Sequence, residues 1–141
     1  MSEIIIKAGN YSFSGKYEDS APATVAAFRA ELPFKSQLIH VRWSGEAMWV
    51  PLGEKNYGVN YENHTSYPAI GQIILYPGGI SETEILIAYG SVNFASKMGQ
   101  LAGNHFMTLT SGYENLEALG NIVLWQGAQD FSVIESNLII A

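Results

Sequence analysis

At 141 residues the chain has the length of one ordinary domain, and with 48% hydrophobic and 14% charged residues it can bury enough apolar surface to fold without a staple, which excludes a disordered chain. The absence of cysteine excludes disulfides, thiolate metal sites and a cysteine nucleophile; it fits a reducing compartment, so a cytoplasmic protein is expected. A net charge of −6 argues against binding a phosphate backbone, which draws its affinity from cations, so no nucleic-acid partner is expected.

The chain opens Ser2-Glu3-Ile4-Ile5-Ile6-Lys7, with an acid where a secretory leader needs positive charge, and no apolar run reaches membrane-spanning length. Neither a leader nor a membrane partner is expected. Residues 4–6 read as a brief strand. Tyr11, Phe13, Gly15 and Tyr17 then alternate with Ser12, Ser14, Lys16 and Glu18 at the strand period, with Gly9-Asn10 as the hairpin turn. Over residues 21–32 the period becomes helical: Pro22 suits the first turn, Asp19 or Ser20 the cap, and Pro33 the end.

Residues 37–43 alternate Ile39, Val41 and Trp43 on one face with Leu38, His40 and Arg42 on the other. Ser44-Gly45 turns this strand into a second, over 47–52, giving a hairpin with one dry face. Residues 53–68 show little periodicity and read as a long loop with functional potential. Strands over 72–76 and 84–89 follow, joined by Pro77-Gly78-Gly79, then an irregular crossing over 93–103 and a strand over 105–110. Residues 113–119 read as a short helix closed by Gly120, and 122–125 and 131–134 as the last strands. There is no internal repeat. Many short apolar strands with two helices suit a mainly β, closed or nearly closed antiparallel barrel, since closure removes the edges they would expose.

Three runs carry a family resemblance: Leu32-Pro33-Phe34 leading into Leu38-Ile39-His40-Val41-Arg42-Trp43-Ser44-Gly45-Glu46; Ser66-Tyr67-Pro68-Ala69-Ile70-Gly71-Gln72-Ile73-Ile74-Leu75-Tyr76-Pro77-Gly78-Gly79; and Phe94-Ala95-Ser96-Lys97-Met98-Gly99-Gln100-Leu101-Ala102-Gly103-Asn104-His105-Phe106. Together they resemble a family of small prokaryotic proteins of unknown function with a cyclophilin-like barrel. The resemblance covers nearly the whole chain and implies about eight strands with two short helices, in one domain over residues 1–141. It brings no activity with it. Arg42 precedes a glycine-containing turn as the arginine of a prolyl isomerase does, but the Phe-His-Arg and Gln-Gly-Gly-Asp-Phe signatures of true cyclophilins are absent, and shared fold is a weak warrant for shared function.

Arg42 is the leading candidate site residue, because it sits on a strand otherwise built for packing and offers a planar, permanently charged fork to a carboxylate or carbonyl. The structural alternative is a pair with Glu46, Glu62 or Glu84. His40, two residues away on the same face, and the Glu62-Asn63-His64 and Asn104-His105 sequences supply acid–base groups, but three histidines without ligand spacing make no metal site. Tyr67 and Tyr76 each precede a proline, where a phenol can line a pocket mouth. No phosphate-cradling glycine motif and no serine elbow is present.

The expected function is therefore binding of a small polar or acidic molecule beside Arg42, with Glu62 and His105 orienting it or moving protons and Trp49, Tyr67 and Tyr76 packing it. No metal or cofactor is expected. The competing classes are an enzyme, either a prolyl isomerase or a lyase or hydrolase of a small acid, and an oligomeric structural or interaction protein.

Overall fold

The computed structural model describes residues 2–137. In chain order its elements are β1 (Ser2–Ala8), β2 (Tyr11–Tyr17), α1 (Pro22–Arg29), β3 (Phe34–His40), β4 (Gly45–Pro51), β5 (His64–Thr65), β6 (Gln72–Tyr76), β7 (Glu84–Val92), β8 (Ala95–Ser96), β9 (Gly99–Gln100), β10 (Gly103–Ser111), α2 (Leu116–Gln126) and β11 (Gln129–Asn137). Eight strands pair in the order β2-β1-β11-β3-β4-β7-β6-β10, and β10 closes back onto β2 to make the expected barrel. Every pairing between these strands is antiparallel. The short β5 pairs with one end of β10, and β8 and β9 form a separate two-stranded hairpin.

The strand period of two sends alternate side chains inward, where Ile4, Ile6, Phe13, Leu38, Met48, Val50, Ile73, Leu75, Ile85, Ile87, Leu109 and Val133 fill the barrel. Each helix adds its apolar stripe to this core, α1 through Phe28 and α2 through Leu116, Leu119 and Val123. A second core lies outside the barrel wall. There Ala47 and Trp49 of β4, Ile74 and Tyr76 of β6, and Leu86 of β7 are covered by Phe94 and Leu101, the residues that flank the β8–β9 hairpin. These strands are apolar on both faces because both faces are covered.

Four local expectations are corrected. β3 ends at His40, so Arg42 and Trp43 stand in the bend that follows it, and the face of this strand that enters the barrel is that of Leu38 and Phe34 rather than that of Ile39, Val41 and Trp43. α1 ends at Arg29, three residues before Leu32. Neither Asp19 nor Ser20 caps it: Ala21 takes the cap position without a side-chain bond, and the Glu62 carboxylate accepts instead from Thr24 N at 2.6 Å and Thr24 Oγ1 at 2.7 Å. Last, α2 runs through Gly120 to Gln126, so residues 122–125 are helix rather than strand. Gly120 serves packing rather than termination, since a Cβ there would stand 2.6 Å from Tyr89 Cζ.

Candidate functional site

The outer core leaves one hollow unfilled, beside the β8–β9 hairpin. It has a volume of about 260 Å³ and is bounded by residues 41–44, Trp49 of β4, residues 81, 82 and 84, and residues 95–97. Each wall is fastened by a nearby polar group. Ser44 Oγ donates to the Ala95 carbonyl and accepts from Ala95 N, both at 3.0 Å, which ties the Arg42 bend to the hairpin. Tyr76 is 1% exposed, and its hydroxyl accepts from Ile80 N at 3.0 Å and Ser81 N at 3.2 Å, holding the loop that brings Ser81 and Glu82 to the rim.

Apolar surface from Val41, Trp43, Trp49 and Ala95 lines most of the hollow, and three groups of opposite character meet there. Arg42 is exposed, with its guanidinium carbon 5.3 Å from the centre of the Trp43 ring, and makes no ion pair among the described residues. Lys97, on the turn of the hairpin, makes none either. Among the described residues the two cation–carboxylate pairs of lysine and arginine lie elsewhere, as Arg29–Glu135 and Lys55–Glu31. The three acids that sequence offered as partners for Arg42 are otherwise placed: Glu46 accepts from Ser91 N at 2.8 Å, Glu62 caps α1, and Glu84 is in no ion pair among the described residues.

Glu84 is the third group. It leads β7 on the outward side, level with Tyr76 of β6, and is 6% exposed. Burial, reinforced by the nearby charge of Glu82, pushes its carboxyl up to about 8, so at neutral pH it is mostly protonated. From the sequence Glu84 is offered only as a possible counter-ion to Arg42. The signal that marks it is positional: it heads the run Ile85-Leu86-Ile87-Ala88, where an outward side chain is about to be covered.

The remaining sequence candidates lie around other features. Arg42 and Trp49 share the hollow, whereas Glu62, Tyr67, Tyr76 and His105 do not line it. Glu62 belongs to a network with fully buried Asn104, which accepts from Glu62 N at 3.1 Å and donates to Thr24 Oγ1 at 3.0 Å and to the Asn60 carbonyl at 2.9 Å. Burial opposes the charge on Glu62, but bonds from the Thr24 hydroxyl and the Thr24 and Ala23 amides prevail and hold its carboxyl below the usual range. Tyr67 is 65% exposed, and its hydroxyl accepts from Gln100 Nε2 at 2.7 Å.

His105 faces away from the barrel interior into a chain of its own. Thr108 Oγ1 gives its single proton to Glu18 at 2.6 Å, so His105 Nε2, 2.7 Å away, is the donor to that hydroxyl. Burial lowers its pKa against the opposing pull of Glu18. Among the described residues no group of three or more His, Asp or Glu side chains is arranged to hold a metal ion, and no helix is long and apolar enough to cross a membrane.

No curated protein sequence matches this chain. A solved structure of McbB in complex with tryptophan shares the fold, with a TM-score of 0.68 over 98% of this chain at 13% identity; the present chain spans 46% of the length of that one. A family model described as a protein of unknown function, DUF3830, matches residues 4–134, and the chain belongs to that family.

Proposed function

We propose that this protein binds a small organic acid with an apolar body in the hollow beside Arg42. The observation that carries the reading is the coincidence of two cations without ion-pair partners among the described residues, Arg42 and Lys97, with an apolar wall containing two indoles around one concavity. A guanidinium can take a carboxylate through two parallel N–H donors, and the low-dielectric wall strengthens that bond. The volume, about 260 Å³, lies just under the ~300–1,000 Å³ of drug-sized sites, which suits a metabolite. The net charge of −6 slows the approach of an anion, so the local cations have to supply the attraction.

Tryptophan, the ligand named for McbB, is itself a small acid with a flat apolar body and is the first compound to try. Calorimetric titration of a panel of aromatic and aliphatic carboxylates into the full chain tests the reading. Binding should weaken roughly ten- to hundredfold in Arg42→Ala, the loss of a charge-assisted bond, while the urea midpoint stays unchanged because Arg42 is exposed. A variant that unfolds, or that binds the acid as well as the parent chain, would remove Arg42 from the site.

A further inference from the structure

We propose, on the basis of the acid-binding reading above, that Glu84 meets the ligand as a protonated hydrogen-bond donor. The hollow then takes a carboxylate that also carries an uncharged acceptor, such as a hydroxyl or keto oxygen, and takes it together with one proton.

The geometry comes first. The Glu84 carboxyl has no hydrogen-bond partner among the described residues, although the residue is only 6% exposed. No side-chain oxygen or nitrogen among the described residues is both sealed off and without a partner. The Glu84 carboxyl must therefore retain open space in front of it, and the space it lines is the hollow. An unpartnered carboxyl facing an apolar cavity is a group held ready for something that enters.

The surroundings decide its protonation state. From the bend after β3 and from the β8–β9 hairpin come the cations Arg42 and Lys97; from the loop before β7 comes the anion Glu82. Tyr76 on β6 lies level with Glu84, but its phenol is occupied by the Ile80 and Ser81 amides, and Trp49 of β4 brings no charge. Burial and the charge of Glu82 both favour the acid form, which prevails up to about pH 8. An incoming carboxylate beside Glu84 adds a second like charge and holds the proton more tightly still. A proton bound more tightly by the complex than by the free protein is taken up on binding, so affinity falls as pH rises past the value of the free protein. An amine ligand would reverse the sign, since it favours ionised Glu84.

The test uses the full chain and two acids that differ only in the acceptor, 3-phenyllactate and 3-phenylpropionate, titrated calorimetrically from pH 6 to 9.5 into the parent protein and Glu84→Gln. Glutamine keeps a donor and cannot ionise, and Arg42, Lys97 and Glu82 are common to both proteins. For the parent, phenyllactate should bind with constant affinity to about pH 7.5 and then weaken by up to about tenfold per pH unit; in Glu84→Gln that loss should vanish. Phenylpropionate should bind severalfold more weakly at pH 7. Titrations of the parent protein in buffers of different ionisation enthalpy should give an uptake approaching one proton at pH 9 and none at pH 6, a reading that needs no variant. Identical pH profiles for the two proteins, or affinity that rises with pH, would overturn the proposal and leave acid binding standing. Failure of both acids and of the wider carboxylate panel to bind at any pH would sink the acid-binding reading and this proposal with it.

Discussion

Replacing Glu84 by glutamine should stabilise the fold, by an amount that depends on pH in a direction the site fixes. In the unfolded chain a glutamate ionises around its ordinary 4.5, whereas in the folded protein burial and Glu82 hold the proton to about 8. Between those values the unfolded state has lost a proton that the folded state keeps, so the parent protein loses stability as pH rises from 4.5 to about 8 and then levels off. At 1.36 kcal/mol per pKa unit the interval corresponds to roughly 5 kcal/mol at most, with less than about 1 kcal/mol of it incurred by pH 5. Glutamine avoids that loss while keeping the shape of the side chain. Urea denaturation of the two proteins at pH 5, 6, 7, 8 and 9 should show a small difference at pH 5 that grows to several kcal/mol in favour of Glu84→Gln by pH 8. Parallel stability profiles would refute the reasoning, because they would mean that Glu84 ionises alike in the folded and unfolded chain.

Three further substitutions probe contacts that hold the helices to the barrel. Glu62→Ala should cost about 1–2 kcal/mol, the usual value of a helix N-cap, measured by chemical denaturation at pH 7. The folded-state pKa of Glu62 is depressed, so its contribution is present at neutral pH and lost as pH falls through that value; the gap between parent and variant should narrow in acid. Asn104→Leu leaves the Glu62 amide, the Asn60 carbonyl and the Thr24 hydroxyl each short of a partner, and should lower stability by about 2–4 kcal/mol in the same assay. Gly120→Ala drives a methyl group into the Tyr89 ring, whose hydroxyl lies 2.7 Å from His40 Nε2, and should cost about 1–3 kcal/mol while leaving acid binding unchanged.

The barrel was legible because the alternation of Tyr11, Phe13, Gly15 and Tyr17 and the paired runs over 72–76 and 84–89 report the strand period directly. Strand faces were harder to read. Ile39, Val41 and Trp43 look like an inward face, but this barrel carries a second apolar layer outside β4, β6 and β7, so burial on both sides erases the alternation that tells one face from the other. Gly120 misled in the same way: a glycine after an apolar helical run signals termination, yet here its missing Cβ makes room for Tyr89, a contact between residues 31 apart in sequence. Glu62 was legible as an unusual carboxylate in a loop, but its partner Thr24 lies 38 residues back, and no local pattern predicts that. The hollow depends on three such long-range meetings, of residues 41–44, 81–84 and 95–97, so the sequence offers Arg42 and Trp49 as site residues and Glu84 only as one of three possible counter-ions, while nothing local connects Lys97 to them.

The claim that the hollow beside Arg42 is the binding site is tested most directly by backbone amide NMR spectra of the full chain recorded during titration with 3-phenyllactate at pH 7. Saturable shifts are expected at residues 41–44, 81–84 and 95–97, with Glu62 and His105 unmoved. Saturable shifts gathered instead around Glu62, Tyr67 or His105, or none at all, would contradict it.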